Sequence, residues 1–411
     1  MKILFVVPYV PNLIRVRPYN FLRFLARRGN EIHVFTVSTG LQDQADIAHL
    51  REFCRQVRTY AMPRWRSIYN SIRALPTNLP LQSVYSFHPD MARDLRNLAL
   101  APDHSSKFDV MHIEHLRGAR YGVACQTDGS ASTAFPTIWD SVDSIGLLFR
   151  QASSKSRRLS SRWLTRFELH RSEKYEGWLT SQFNRVLVTS PNDRRALLNH
   201  RPPNSASVPV EILPNGVDLE YFFEDSSVRR HTASLVVSGK MSYHANSSMT
   251  MFLVKEIMPM VWARRPEVNL VIVGKDPPGE ITALQEHPNI TVTGTIPDIR
   301  PYLRQASLSV APLLYGTGIQ NKVLEAMACG TPVITTTQAV SALQAAAGQD
   351  LLTADSAKQF ADTILRLLDD RDLRQRVGQA GRKYVETYHD WARITARLEQ
   401  IYQEEIQKLL P

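Results

Sequence analysis

Residues 308–335 read LSVAPLLYGTGIQNKVLEAMACGTPVIT. The apolar run at 308–312 has the length and composition of a buried strand, and it stops at the turn Gly316-Thr317-Gly318. From 319 to 329 the apolar residues Val323, Leu324 and Met327 recur with helical spacing. Gly330 follows as a C-cap, Pro332 stands just beyond it, and 332–335 is a second strand. A strand, a helix and a second strand in this order predict a parallel crossover unit. The glycine turn lets backbone approach a ligand, and the free N–H groups of the helix start that follows suit a phosphate or diphosphate. Lys322 and Glu325 stand three apart and share a helix face. Lys322 can add a full positive charge, and Glu325 can accept hydrogen bonds from a sugar diol. The same spacing also fits a turn capping a core helix, with Lys322 and Glu325 a surface pair worth about 0.2–0.5 kcal/mol. Spacing alone leaves both readings open.

The neighbouring sequence repeats the plan. Strands are expected at 234–238, 268–273 and 290–293, each ending at a glycine (Gly239, Gly274, Gly294), with a helix over 246–264 capped by Asn246. Three helical stretches follow from about 356 to 410. In the first half, strands are expected at 2–7, 31–37, 109–113, 137–140 and 185–189, helices at 18–28 and 158–180, and several helices between 40 and 105. This predicts an α/β protein of two Rossmann-like, doubly wound domains facing across a cleft, with ligands at the carboxyl ends of the strands. The Pro- and Ser-rich stretch 201–207 and the turn at 214–218 put the boundary near 200–220. Domains 1–205 and 206–388 follow, with a terminal segment 389–411.

Composition narrows the function classes. Of 411 residues, 43% are hydrophobic and 21% charged, which excludes a disordered or collagen-like chain. Cys54, Cys125 and Cys329 are too few and too scattered for a disulfide framework or a Cys-rich zinc site, and they fit a reducing compartment. No run of 18 apolar residues exists, and the apolar start reads as a strand, so a cytoplasmic location is expected. Charge is lopsided: residues 1–200 carry +12 and residues 201–411 carry −2. A one-sided basic surface fits an anionic partner, and a merely Arg-rich solvated surface fits as well. The densest basic cluster is Arg150, Lys155, Arg157, Arg158, Arg162 and Arg166, which suggests peripheral contact with an anionic membrane, at the inner face for a cytoplasmic protein. No interleaved aromatic–basic stripe points to nucleic acid. Neither Asp-X-Asp in a metal-binding context, nor His-Glu-X-X-His, nor a P-loop is present, so no metal and no cofactor are expected.

The 315–334 run together with Pro214-Asn215-Gly216-Val217-Asp218 resembles the family 4 glycosyltransferases, including bacterial polysaccharide-assembly sugar transferases, along essentially the whole chain. The resemblance implies the B-type glycosyltransferase fold (GT-B). It implies an N-terminal domain that binds the acceptor, a C-terminal domain that binds a nucleotide-sugar donor, and a last helix, here 389–411, that crosses back to the first domain. Glu325 matches the second Glu of the family's paired-Glu signature, which implies a hold on the donor ribose. Thr317 stands where the first Glu belongs. Lys322, in a Gly-X-Gly-X-X-X-Lys pattern, resembles a phosphate-binding lysine. Gly239-Lys240 matches the family's Gly-Arg, but the lysine usual five or six residues on is replaced by Ala245 and Asn246. Gly318, Ile319 and Gln320 belong to the same donor loop, and Thr295 and Ile296 lie in a loop that by resemblance meets the nucleobase. A plain strand–helix connection capped by Asp298 is the alternative there.

On the acceptor side, Glu114 occupies the position of a polar residue, often His in the family, that faces the reacting sugar, with His115 beside it. Asp143 ends another strand of the same sheet. Arg15 and Arg17 lie in a first loop that departs from the family's glycine-rich turn. They fit either a phosphate of a lipid-linked acceptor or solvated loop charges. The activity implied is retaining glycosyl transfer from a nucleoside diphosphate sugar to an acceptor hydroxyl on a glycan or lipid-linked intermediate. A nucleotide-sugar hydrolase or epimerase on the same fold, and a non-catalytic binder of anionic polymer, are the alternatives.

Overall fold

Strands made almost wholly of Val, Ile, Leu and Phe have no polar face to offer water, so they require cover on both sides. In the computed structural model the first strand, β1 (Lys2–Val7), is buried from Ile3 onward. The structure describes residues 1–100, 108–126, 135–155, 159–315 and 319–409, with side chains for all of these except 152–155 and 159–165. The chain divides into two units, Met1–Pro214 with Ala392–Pro411, and Asn215–Trp391.

The first unit adds β2 (Glu31–Ser38), β3 (Gln56–Ala61), β4 (Val110–Glu114), β5 (Thr137–Val142), β6 (Arg185–Val188) and β7 (Val210–Ile212). All seven strands pair in parallel, in the order β3-β2-β1-β4-β5-β6-β7. The second unit holds β8 (Ser234–Ser238), β9 (Asn269–Val273), β10 (Ile290–Val292), β11 (Leu308–Ala311), β12 (Val333–Thr335) and β13 (Leu352–Thr353). They too are all parallel, in the order β10-β9-β8-β11-β12-β13. Both sheets are doubly wound, as the alternation of elements predicts. Strand order reverses between β1 and β4 in one sheet and between β8 and β11 in the other. Each reversal opens a crevice at the carboxyl ends of those strands, where ligands of such sheets bind.

Four local readings are corrected. Residues 40–105 contain a strand, β3, as well as helices; its burial alternates, because it lies at the sheet edge with Gln56, Arg58 and Ala61 turned outward. Asn246 is not an N-cap: the helix begins at His244, and Asn246 lies buried in its first turn. That helix does not run unbroken to 264 but passes through a π-turn at Leu253–Ile257. The donor-loop helix spans Asn321–Ala328, two residues later than expected at its start.

The C-terminal helix Trp391–Gln407 packs on the first unit. Buried Arg185 on β6 reaches Glu405 at 2.7 Å, Glu404 at 2.9 Å and Glu211 at 2.5 Å. Arg397 and Arg28 add bridges to Glu211 and Glu399. In the second unit the turn after Pro214 is locked from the other end. The Val217 N–H donates to the His389 carbonyl at 2.7 Å, and a Cβ on Gly216 would stand 2.7 Å from the Trp391 ring. The Asn-Gly-Val-Asp motif thus serves packing: only a residue without a side chain lets the indole lie on it. Removing Arg185 leaves Glu211 and Glu404 to Arg397 alone and buried Glu405 to Lys408 alone, so Arg185→Ala is expected to cost about 3 kcal/mol of stability, the lower end for a broken buried pair. Urea unfolding should show it, with earlier proteolytic release of the C-terminal helix. Unchanged unfolding would place the helix's anchorage elsewhere.

Candidate active site

In the second unit the crevice between β8 and β11 is built from two loops. After β8 the chain turns at Gly239, whose φ of +148° few side chains adopt. Gly274, after β9, lies so close that a Cβ there would meet the Gly239 carbonyl at 1.7 Å. The Lys240 side chain is half exposed, 4.0 Å from Asp276. The loop is pinned by Asn246, which donates from Nδ2 to the Lys240 carbonyl at 2.9 Å. The Asn246 Oδ1 in turn accepts a hydrogen bond from the Lys322 Nζ at 2.5 Å. Lys322, from the loop-plus-helix after β11, is thereby carried to the loop after β8. It does not pair with Glu325 on the surface, as spacing alone allowed. The departure noted in the sequence finds a physical answer here: Asn246, at one of the two positions where the resemblance implies a lysine, seats the ammonium of Lys322 instead.

Burial sets the charges. Lys322 is pushed down to about 8, chiefly by loss of water and with partial relief from Glu325. Glu325 is pushed up to about 7 by its own burial, with Lys322 opposing. A half-buried ammonium with one neutral hydrogen-bond partner and a half-buried carboxyl three residues on form a site that an anion bearing hydroxyl groups would complete. Around it, the Tyr315 hydroxyl meets His244 Nδ1 at 2.7 Å, and the two rings stack 5.4 Å apart. Thr295 accepts the Asp276 N–H at 3.4 Å, and Ile296 packs on the core. Asp298 receives the Arg300 N–H and guanidinium, which completes a helix start without a ligand. Ile319 is buried, and Gln320 immediately precedes the Asn321–Ala328 helix. Thr317 and Gly318 lie outside the described residues.

In the first unit the crevice between β1 and β4 carries a denser set of charges. Arg17 is not a loop-entrance cation: it lies inside the helix Val16–Arg27, 3% exposed, and forks onto Asp140 of β5 with contacts of 2.7 and 3.1 Å. A bidentate buried pair of this kind leaves Arg17 committed to the protein. Arg15 lies over the Tyr9 ring at 4.4 Å and donates to the Val10 carbonyl. Glu114 is 1% exposed and stands opposite Asp140 in the β4–β5 register. Its Oε1 accepts from the Tyr9 hydroxyl at 3.5 Å, and its carboxyl is pushed well up by burial and by the Asp140 charge. His115 has φ +65° and is held neutral, pushed down to about 3 by burial. Val142, at the end of β5, has φ +66°, a costly conformation for a β-branched residue, beside a shift in the β5–β6 register. Strained residues thus end two adjacent strands at the same crevice, as functional sites often require. Asp143, pushed up to about 6 by burial and by Asp193, accepts from Thr189 at 3.0 Å.

The sequence reading missed His112. It is wholly buried, stacks on Phe5, and shares a hydrogen bond with Tyr402 of the C-terminal helix at 2.8 Å. Its spacing from Glu114, two along one strand, was the available signal, because both side chains must lie on one face. His112, Glu114 and Asp140 bring ligand-type atoms within 4.8 Å of one another. Arg17 already neutralises Asp140, and a cation added beside its guanidinium would meet like charge. Burial holds His112 well below the usual imidazole range and Glu114 well above the usual carboxylate range, so the set fits a neutral pair beside an Arg–Asp bridge better than a metal. Of the expected basic cluster, Lys155, Arg157, Arg158 and Arg162 have side chains outside those described. Arg150 is spent on Glu173. Among the described residues no helix is long and apolar enough to cross a membrane.

Two family models match. Residues 15–221 match Glycosyltransferase Family 4, and residues 232–370 match Glycosyl transferases group 1. The chain is a family 4 glycosyltransferase. This glycosyltransferase is 23% identical over 394 residues to the D-inositol 3-phosphate glycosyltransferase of Arthrobacter sp. (strain FB24), covering 90% of this chain and 85% of that one. Among solved structures it is similar to sucrose-phosphate synthase from Thermosynechococcus elongatus, with a TM-score of 0.68, 18% identity and 98% of each chain covered. It is also similar to Anabaena Alr3699/HepE in complex with UDP and glucose, with a TM-score of 0.65, 12% identity, and 98% and 100% covered. The fold of this glycosyltransferase is GT-B, two Rossmann-like α/β domains with a helical C-terminus.

The Lys322 contact is open to direct measurement. Replacing Asn246 by Asp sets a carboxylate against the ammonium, so the titration of Lys322 is expected to rise from about 8 toward the ordinary lysine range. NMR of reductively methylated lysines in Asn246→Asp and the parent protein reads the shift. A titration that stays put would mean that Nζ does not meet residue 246.

Proposed function

We propose that the enzyme moves a sugar from a nucleoside diphosphate sugar to an acceptor hydroxyl with retention of anomeric configuration, in polysaccharide or glycolipid assembly. The observation that carries this reading is the convergence of the Lys322 ammonium, through Asn246, on the Gly239-Lys240 loop at the β8–β11 crevice. A diphosphate fits it: two cationic side chains for the phosphates and a half-buried carboxyl, Glu325, for a ribose diol. The relatives' printed names lend support, since one solved neighbour holds UDP with glucose and one relative acts on an inositol phosphate.

In the proposed reaction the bond from the anomeric carbon to the diphosphate breaks, and the acceptor oxygen bonds to the same face. The acceptor's proton passes to the departing phosphate oxygen. Negative charge on the diphosphate grows as its bond breaks, so fixed positive groups act most strongly in the transition state. Lys240 and Lys322 take that role, with no metal called on. Glu325 holds a group that changes little during the reaction. On the acceptor side, His115 stays neutral and can exchange single hydrogen bonds with sugar hydroxyls, and Glu114 offers a carboxyl. Arg17, locked on Asp140, positions that crevice and leaves anion binding to Arg15. Asp143 lies further along the same strand ends.

Lys240→Ala and Lys322→Ala are each expected to lower kcat by at least ~100-fold, as the loss of one oxyanion donor does. Glu325→Ala is expected instead to raise KM for the donor, by about 1.5–3 kcal/mol in binding. Steady-state kinetics with UDP-, GDP- and ADP-sugars and the anomeric configuration of the product test the reading. Full turnover by Lys322→Ala, or an inverted product, would overturn it.

Glu114→Ala and His115→Ala are expected to reduce turnover with nucleotide affinity nearly unchanged. A collapse of nucleotide affinity in either variant would reassign the first unit's crevice to the donor.

A further inference from the structure

The helix Arg64–Ala74 of the first unit is packed inside out. Trp65, Ile68, Tyr69 and Ile72 recur at helical spacing on one face, and Leu75 continues the row. A surface helix normally turns such a stripe inward. Here the stripe faces solvent: Trp65 is 63% exposed, Ile68 58%, Tyr69 52%, Ile72 59% and Leu75 49%. The inward face is polar or small instead. Ser67 and Ala74 are buried, and Asn70 Nδ2 donates to the carbonyls of Val84 at 3.1 Å and Phe87 at 2.9 Å. These hydrogen bonds fix the orientation, so the apolar face is held outward. Five of the sixteen large exposed hydrophobic residues among those described lie in this short stretch. A groove of about 430 Å³ runs beside it, lined by Trp65, Tyr69, Phe87, Arg66, Arg73 and Arg120.

Charge selects the occupant. Residues 53–89 contain five arginines and no Asp or Glu. Among the described residues, Arg64, Arg66, Arg73 and Arg120 have no acidic partner. Arg73 is exposed and lies along the Tyr69 ring at 5.7 Å from its centre, its stem on apolar surface. Arg66, 5.3 Å from the Trp65 ring centre, instead keeps its Nε buried and turns its charge toward His88. An apolar row with Trp and Tyr, fringed by unpaired arginines, is the chemistry of a helix lying in the headgroup region of an anionic bilayer. A second copy of the chain fits poorly, since a two-fold pairing would set the same acid-free arginines against each other. We propose that the face formed by Trp65, Ile68, Tyr69, Ile72 and Leu75 docks on the surface of an anionic phospholipid bilayer, with Arg64 and Arg73 on the headgroups and the helix lying along the surface. This places membrane contact on a different element from the 150–166 cluster, and it stands whichever sugar the enzyme transfers.

The test is flotation of the full chain with phosphatidylcholine vesicles and with vesicles also containing phosphatidylglycerol, at low and high salt. Binding is expected only with the anionic vesicles, fading as salt rises. Arg64→Gln with Arg73→Gln is expected to weaken it by about 30-fold, at ~1 kcal/mol per basic residue. Ile68→Ser with Ile72→Ser should abolish binding with little change in thermal stability, because both side chains are already more than half exposed. Vesicles should shift tryptophan emission to the blue in the parent protein but not in Trp65→Phe. Equal binding to neutral and anionic vesicles, or undiminished binding by the Ile68/Ile72 variant, would overturn the proposal. So would sedimentation showing a dimer that the Ile68/Ile72 variant dissolves, because the face would then belong to a second copy.

Discussion

The hydrogen bond from the Lys322 ammonium to Asn246, beside the Tyr315–His244 contact, joins the two loops that open the crevice of the second unit. Its other end is equally constrained, because the Asn246 amide also holds the Lys240 carbonyl and lies against Gly239. An ammonium largely withdrawn from water, with a neutral amide as hydrogen-bond partner and only partial relief from Glu325, is costly: burial pushes Lys322 down to about 8 and, separately, Glu325 up to about 7. That cost is the useful property. A diphosphate entering the crevice would find a cation already desolvated and already aimed, with little reorganisation left to make.

The first unit solves a different problem. Its crevice gathers Glu114, Asp140 and Asp143 at the ends of adjacent parallel strands, and burial alone would drive protons onto all of them. Arg17 relieves the crowd by holding Asp140, and His112, seated by Phe5 and Tyr402, fills the space between Glu114 and Asp140 at 3.6 and 3.8 Å. The C-terminal helix therefore contributes more than cover, since its Tyr402 fixes a buried imidazole under the crevice.

Much of this was legible in the chain. Strands rich in β-branched residues and ending at Gly239, Gly274 or Gly294 declare themselves, because their period and their terminators agree. Lys240, Lys322 and Glu325 were legible because a motif sets their spacing. What was hidden depended on distance or context. β3 carries Gln56 and Arg58 and so lacks the signature of a buried strand, although edge position makes it a strand. Arg17 reads as a loop cation beside Pro18, and nothing local announces Asp140, far along the sequence. Asn246 has the residue type of an N-cap, but its side chain is claimed by Lys240 and Lys322 from two other segments. The outward stripe on the Arg64–Ala74 helix has ordinary amphipathic spacing, and only the packing of Asn70 shows which way it faces.

The central claim is that Lys322 waits, partly deprotonated, for a diphosphate. Calorimetry of nucleoside diphosphate binding just above pH 8, in two buffers of different ionisation enthalpy, counts the protons exchanged. An anion raises a lysine it contacts, so binding should take up a substantial fraction of a proton in the parent protein and none in Lys322→Ala. Equal proton uptake in both proteins, or none in the parent, would contradict the account.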